Sequence, residues 1–407
     1  MFSGRTSGRS MLVLNAAIFI MSAGFYVMMP LLGNELIGAK RIPVAVVTLI
    51  LNTRIIMQDL LMLPAGLLAD RIGSRNALIL AAVIRGTGFL IIGVTSSIPL
   101  LFAAGILAGI GGSFFFPASL SLYTELTDES NRIKIFSLRE MLNSLGIVLG
   151  PLAGTALLFL GFEWVGAGSA LLFYISAAAL YLFIGGKEKR KTPPGTDSYV
   201  LAEKEKNSAA HDWRMVLKDH RFLRFSVILM VVTVYLNQPF IAVPLRVNQI
   251  APGYAYVGII FSVSSVAMVL LQIRMTAYAS ARFSQYRIIG LAAAFFAGGL
   301  CVMGFVDGIW VLYAGSLVYS IGAILFYPSR NMLIAKYAPK GASGTYFGFQ
   351  GLINTFGNLI AGAGLGLLYE QSSLPAFRYL PWTVLLAGGI AVVLIIFASE
   401  KALGPRQ

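Results

Sequence analysis

Long apolar runs alternate with short polar breaks along the whole chain, and this alternation limits the fold more than any other feature. The runs cover approximately 11–33, 42–69, 76–95, 99–124, 135–160 and 165–185, then 222–247, 256–281, 286–306, 308–334, 344–370 and 379–399. Each is about as long as the ~20 residues that carry an α-helix across a ~30 Å hydrocarbon core. The expected fold class is therefore all-α integral membrane, with twelve transmembrane helices in two six-helix bundles. The bundles are expected at 1–185 and 222–407, with a cytoplasmic linker at 186–221. Hydrophobic residues make up 57% of the chain and charged residues only 12%, with mean hydropathy +0.79, which excludes a water-soluble globular domain. Residues 11–33 lead into further spans without a small-residue cleavage site, so the first span is expected to be retained.

A net charge of +14 could indicate a nucleic-acid partner, but the placement of the charges argues against one. Most Lys and Arg residues fall in or beside segments assigned to the cytoplasm. Only Lys40, Arg41, Arg246 and Arg378 fall in external loops. This is the positive-inside bias of a multi-pass protein. It predicts a bacterial-type cytoplasmic (inner) membrane, with both termini in the cytoplasm beside Arg5, Arg9, Lys401 and Arg406. The lone Cys301 excludes an internal disulfide framework and a cysteine zinc cluster, and His211 and His220 both fall in the linker. No phosphate-cradling glycine loop, Ser-His-Asp set or metal-ligand cluster is present, so no catalytic residue, metal site or cofactor is expected and the chain does not read as an enzyme. Within the linker, Lys187–Lys191 is a solvated charge run, and Trp213–Arg224 reads as a short basic amphipathic helix on the inner leaflet.

The two halves repeat at a constant offset of 211 residues. Arg71 matches Arg282, Ile110 Ile321, Gly111 Gly322, Phe115 Phe326, Pro117 Pro328 and Leu122 Leu333. The register continues through Phe136 with Phe347, Asn143 with Asn354 and Gly146 with Gly357. Parallel repeats of this kind build many secondary transporters, with the substrate site where the repeats meet.

Between the second and third runs lies Gly66-Leu67-Leu68-Ala69-Asp70-Arg71-Ile72-Gly73-Ser74-Arg75. The turn is short enough to set two helices antiparallel, and its glycines allow close helix approach. The pattern G-x-L-a-D-R-x-G-x-R resembles the signature loop of the major facilitator superfamily. The resemblance implies the fold of that family, and it implies that Gly66, Asp70, Arg71, Gly73 and Arg75 act as a conformational latch. The second copy has Ala281 at the place of Asp70, so one latch is degenerate. In the fifth run, Gly146, Gly150, Pro151 and Gly154 resemble the Gly-Pro motif of antiporters in the family, which points to export. The chain is most similar to the drug:proton antiporter branch, in particular the MdtH-like multidrug resistance transporters. Arg54, the segment Ile84–Phe89, Gly109–Gly112 with Pro117, and Phe136-Ser137-Leu138 carry that likeness. Two positions depart from the family pattern: Gly105 stands near a common arginine, and Ala323 follows Gly322 in place of an acid.

Charges inside spans cost roughly 2.5–3.5 kcal/mol each on insertion scales and call for a partner or a task. Arg54, Arg85, Arg139, Arg274 and Arg330 are expected to be buried charge partners, and Asp59 and Glu140 are the candidates for proton coupling. Asp59 and Arg85 lie at similar depth on adjacent antiparallel helices, which predicts an ion pair between them. Glu140 neighbours Arg139, and side chains one residue apart on a helix diverge by about 100°, so the two are expected to face different partners. The family resemblance implies a central cavity, with Tyr26, Phe115, Asn143, Tyr235, Asn237, Gln238, Phe326, Phe349, Gln350 and Asn354 as lining candidates. Aromatic walls with a few amides suit small amphipathic molecules. The reading is a proton-coupled antiporter that exports small amphipathic organic compounds, multidrug-type, by alternating access. It is powered by the proton gradient and works as a monomer in the lipid bilayer. Alternatives are a dedicated metabolite, siderophore or peptide exporter, a proton-coupled nutrient symporter, and a non-transporting membrane scaffold.

Overall fold

The computed structural model describes residues 4–185, 214–236, 238–250, 254–360, 365, 368–369 and 377–403. Among the described residues the regular elements are all helical. The first half contains α1 (Gly4–Gly38), α2 (Val44–Leu60), α3 (Met62–Ile72), α4 (Ser74–Val94), α5 (Ile98–Leu126), α6 (Arg132–Leu158) and α7 (Phe162–Phe183). After the linker come α8 (Arg214–Lys218), α9 (His220–Leu236), α10 (Gln238–Ile250), α11 (Tyr254–Arg282), α12 (Gln285–Phe305), α13 (Ile309–Tyr337), α14 (Ser343–Ile360) and α15 (Leu380–Leu403).

Nine helices among the described residues are long and apolar enough to cross a membrane. The other three apolar runs correspond to α2 with α3, α9 with α10, and α14. Proline explains the break in the second run. Pro64 has no N–H for the carbonyl of Leu60 and crowds it, and the helix interrupts at Leu61 (φ −87°, ψ 0°). In the seventh run, Pro239 withholds a bond from the carbonyl of Tyr235, and the Tyr319 hydroxyl donates to that carbonyl instead at 3.1 Å. The linker residues 186–213 lie outside the described residues. The expected amphipathic helix over 213–224 is divided: α8 ends at Lys218, and the Asp219 carboxylate accepts from the Phe222 N–H at 3.0 Å, starting the seventh-span helix.

By contacts the chain forms two compact units. One comprises Met1–Arg132, Leu145–Lys218 and Tyr337–Leu352; the other comprises Ile133–Ser144, Asp219–Lys336 and Ile353–Gln407. The start of α6 and the start of α14, equivalent in the repeat, each belong to the unit built mainly from the other half.

The offset of 211 carries through to the helix ends. Ser74–Val94 maps onto Gln285–Phe305, and Ile98–Leu126 maps onto Ile309–Tyr337, end to end. Equivalent carbonyls are also capped by cations in both halves. Lys40 Nζ donates to the carbonyls of Ile92 (3.2 Å), Gly93 (3.3 Å) and Thr95. Arg246 donates to Met303 (2.9 Å) and Val306 (3.4 Å), the counterparts of Ile92 and Thr95. A cation at a helix C-terminus meets both orphan carbonyls and the negative end of the helix dipole. Arg246 also donates to Asp307 at 2.6 Å, and Arg378 binds the same carboxylate at 2.7 Å. The two guanidinium groups hold the Asp307 carboxyl below the usual aspartate range.

Packing inside the first unit relies on small residues. A Cβ built on Gly166 of α7 would lie 2.6 Å from the Gly93 Cα of α4 and 3.0 Å from the Phe89 carbonyl oxygen. A Gly166→Leu substitution is therefore expected to force α4 from α7 and to destabilise the protein by about 1–3 kcal/mol, read as an earlier midpoint in detergent unfolding. Gly298→Leu, where no neighbouring atom lies within 4 Å of the built Cβ, is the control expected to leave that midpoint unchanged.

Candidate functional site

The signature loop is a helix terminus, a turn and a cap. Gly73 adopts φ +91°, a left-handed conformation that glycine takes without a side-chain clash, and joins α3 to α4. Asp70, just past the second apolar run, accepts from the Gly344 N–H (2.8 Å), the Thr345 N–H (2.7 Å) and the Thr345 hydroxyl (2.6 Å). It thereby fills the N-terminus of α14, where unsatisfied N–H groups and the helix dipole favour a carboxylate. Glycines make the approach feasible. A Cβ on Gly66 would land on the Gly344 carbonyl, one on Gly344 would lie 2.6 Å from the Gly66 carbonyl oxygen, and one on Gly348 would lie 2.6 Å from that of Met62. Arg75 donates to the carbonyls of Leu180 (3.1 Å) and Tyr181 (2.5 Å) at the end of α7, whereas Arg71 is exposed. Burial raises the Asp70 carboxyl from 3.8 to about 6, despite the three donated hydrogen bonds that lower it.

The Gly-Pro residues of α6 form a second close contact. A Cβ on Gly146 would meet Ser22, one on Gly150 would meet Tyr26, and one on Gly154 would meet the Val27 carbonyl, all on α1. Pro151 lies inside α6 between the last two of these glycines.

Two groups of buried charge lie deeper. In the second unit, Glu140 accepts from Arg139 Nη1 at 2.5 Å and from Asn331 Nδ2 at 3.3 Å. Asn331 Oδ1 in turn accepts from Arg330 Nε at 3.2 Å and Nη2 at 3.0 Å. All four residues are buried. The expectation that Arg139 and Glu140 face different partners is corrected here: the long Arg139 side chain bends across the helical divergence and binds its neighbour.

In the first unit, Arg54 Nη1 and Arg85 Nη2 both donate to Gln58 Oε1, at 3.3 Å and 3.2 Å. Arg85 also lies over the Phe25 ring at 4.3 Å and near Phe89 at 6.0 Å. The expected Asp59–Arg85 ion pair is therefore corrected. Arg85 takes the neutral amide at 58, and a one-residue step around α2 turns Asp59 towards a different direction. Asp59 remains an electrostatic neighbour of Arg54. Arg274 is also corrected, since it is exposed on α11 rather than buried. Its long stem can carry the charge along the helix towards the interface.

The proposed lining residues are distributed over both units. Tyr26 lies half-buried beside Gly150, and Phe115 is buried with its ring edge-on to Phe116 at 5.9 Å. Tyr235 is buried and donates to the Leu385 carbonyl at 2.7 Å. Gln238 is buried and accepts from the Tyr369 hydroxyl at 3.1 Å. Phe326 is fully buried against Phe296 and lies under Arg330. Phe349 and Gln350 are buried, Asn143 is half-buried, and half-buried Asn354 accepts from Thr233 at 3.0 Å. Asn237 lies outside the described residues. Sequence reading missed Gln58, Asn331 and Thr345. Gln58 had a readable signal, a polar group one turn after Arg54 on an apolar helix; Thr345, 275 residues from Asp70, had none.

A family model described as the Major Facilitator Superfamily matches residues 14–251 and 225–406. The chain belongs to the major facilitator superfamily. It is 27% identical over 409 residues to a protein named Multidrug resistance protein MdtH from Cronobacter sakazakii, covering 98% of this chain and 96% of that one. It is 28% identical over 405 residues to the protein of the same name from Klebsiella pneumoniae, covering 97% and 94%. Among solved structures it is similar to a bacterial homologue of the iron transporter ferroportin in the outward-facing state. That likeness has a TM-score of 0.76 at 15% identity and covers 97% of this chain and 100% of the other. It is also similar to the human organic anion transporter MFSD10 (TETRAN), with a TM-score of 0.73 at 15% identity, covering 96% and 99%. These likenesses establish the superfamily fold, and the chain is a multi-pass membrane transporter of that type.

The Asp70 cap gives a measurable pH dependence. With its carboxyl raised to about 6 when capped and near 3.8 when released into water, the capped arrangement binds a proton more readily. Its relative stability is complete below about 3.8 and declines as pH rises through 6. Hydrogen exchange at the Gly344 and Thr345 amides is expected to show more frequent opening at pH 7 than at pH 5, after correction for intrinsic exchange. Asp70→Ala should accelerate exchange by about tenfold at pH 7 and abolish the pH dependence.

Proposed function

We propose that this transporter is a proton-coupled antiporter that exports small amphipathic organic compounds by alternating access. It works in a bacterial-type inner membrane with both termini in the cytoplasm. The observation that carries the reading is Glu140, a carboxylate enclosed within a transmembrane helix, which by default marks an ion or proton pathway. Its partners, Arg139, Asn331 and through it Arg330, come from two helices, α6 and α13. Adding a proton to Glu140 removes the charge that holds this network, and losing it restores the charge. The close fit of α6 against α1 through Gly146, Gly150 and Gly154 supports export, because it resembles the antiporter motif of the family. The likeness to relatives named as multidrug resistance proteins over nearly the whole chain supports the substrate class. Asp59 is the second candidate for the proton, and Asp70 is assigned the latch.

Purified protein in liposomes with an imposed pH gradient tests this reading. Added amphipathic substrate is expected to dissipate the gradient, and no dissipation with any amphipathic compound would remove antiport. Glu140→Gln is expected to abolish proton movement while substrate binding stays measurable. Retained coupling in that variant with loss in Asp59→Asn would move the proton to Asp59.

A further inference from the structure

The first unit holds two buried guanidinium groups on one neutral acceptor. Arg54 is 8% exposed and Arg85 6%, and the Nε of each is buried without a hydrogen-bond partner. Because both donate to Gln58 Oε1, their terminal nitrogens lie within two hydrogen-bond lengths of each other. Among the described residues no carboxylate accepts a hydrogen bond from Arg85. Asp59 offsets part of the charge of Arg54. The group thus carries about one net positive charge inside the hydrocarbon span, an arrangement that needs strong compensation.

The architecture does not require these charges. In the repeat, Arg54, Gln58 and Arg85 correspond to Ser265, Val269 and Phe296. The backbone setting is shared: a Cβ on Gly111 would lie 2.8 Å from the Ala81 carbonyl oxygen, and one on Gly322 would lie 2.8 Å from that of Ala292, the equivalent pair. In the second half Phe296 fills the place of Arg85 and is fully buried, its ring tilted against Tyr319 and edge-on to Phe326. The same fold therefore packs with an aromatic residue where the first half keeps an arginine. Gly112 leaves room for the Gln58 amide, since a Cβ there would collide with Oε1.

From this arrangement we infer that Arg54 and Arg85, aligned by Gln58, form the binding site for the monoanionic group of an amphipathic aromatic carboxylate. One net positive charge matches one carboxylate, and an arginine fork takes a carboxylate through paired charge-assisted bonds. The Phe25 ring, which lies 4.3 Å from the Arg85 guanidinium and 5.6 Å from that of Arg54, supplies an apolar surface for the aromatic part. The inference rests on the export reading only for the claim that the occupant is cargo; the binding site itself does not depend on it.

The test uses the full-length protein in neutral-lipid nanodiscs, titrated with 1-naphthylacetate and its uncharged amide by calorimetry. The acid is expected to bind at least about tenfold more tightly than the amide. Gln58→Glu places a resident carboxylate of nearly the same shape between the arginines. It is expected to abolish the preference for the acid and to raise the melting temperature, and Arg85→Gln should also abolish the preference. Equal binding of acid and amide, or a preference that survives Gln58→Glu in folded protein, overturns the inference. Competition by added phosphatidylglycerol in the wild type but not in Gln58→Glu assigns the site to a lipid headgroup and overturns the cargo claim. Dye export with no acid binding refutes this inference alone. Acid binding lost in Gln58→Glu, with no flux of any compound, keeps the site and refutes the export reading.

Discussion

Lipid tails solvate a leucine about as well as another leucine does, so helices in a bilayer gain little by merely touching. Close backbone approach, hydrogen bonds and buried charge must hold them together. Each contact that organises this protein follows from that constraint. Gly93 meets Gly166 between α4 and α7, Gly66 meets Gly344 and Gly348 between α3 and α14, and the glycines of α6 meet α1. Where backbones come this near, a polar group placed at the contact is shielded from water and acts strongly. Asp70 reaches the N–H groups of α14 because Gly66 and Gly344 remove the side chains that would have kept it away.

Duplication and divergence explain the rest. The third and fourth spans of each half, α4 with α12 and α5 with α13, match end to end, and the halves share the capped carbonyls at 92 and 303 and at 95 and 306. The cations that cap them, Lys40 and Arg246, come from positions that do not correspond. Geometry was kept while the residues that satisfy it were replaced. The charged groups diverged further: the acid at 70 has an alanine at 281 as its counterpart, the arginine at 85 a phenylalanine at 296, and the glutamate at 140 a glycine at 351. The scaffold is common to both copies, whereas the charged groups differ between them.

Much of this was legible in the sequence. Run lengths and the offset of 211 recorded the number of spans and their equivalence, because hydrocarbon thickness and backbone bonding leave one solution. The glycines of the loop and of α6 were readable as close contacts for the same reason. Side-chain partnerships were less legible. Depth along two helices placed Arg85 near residue 59 but could not resolve its rotation, and the partner is Gln58. The break at Leu61 could be traced to Pro64, yet no local signal joined Asp70 to a helix 274 residues away. Arg139 and Glu140 show that a flexible side chain can defeat an argument from helical rotation alone.

Arg85 lies midway along α4, so a charge bound there stands about half-way through the electric field of an energised bilayer. Moving one elementary charge across the whole field is worth ~2.3 kcal/mol per 100 mV. In a cell with a negative interior, that voltage drives an anion outward and retains a cation. A cargo matched to Arg54 and Arg85 would leave down the electrical slope, and less work would then fall on the ion moving the other way.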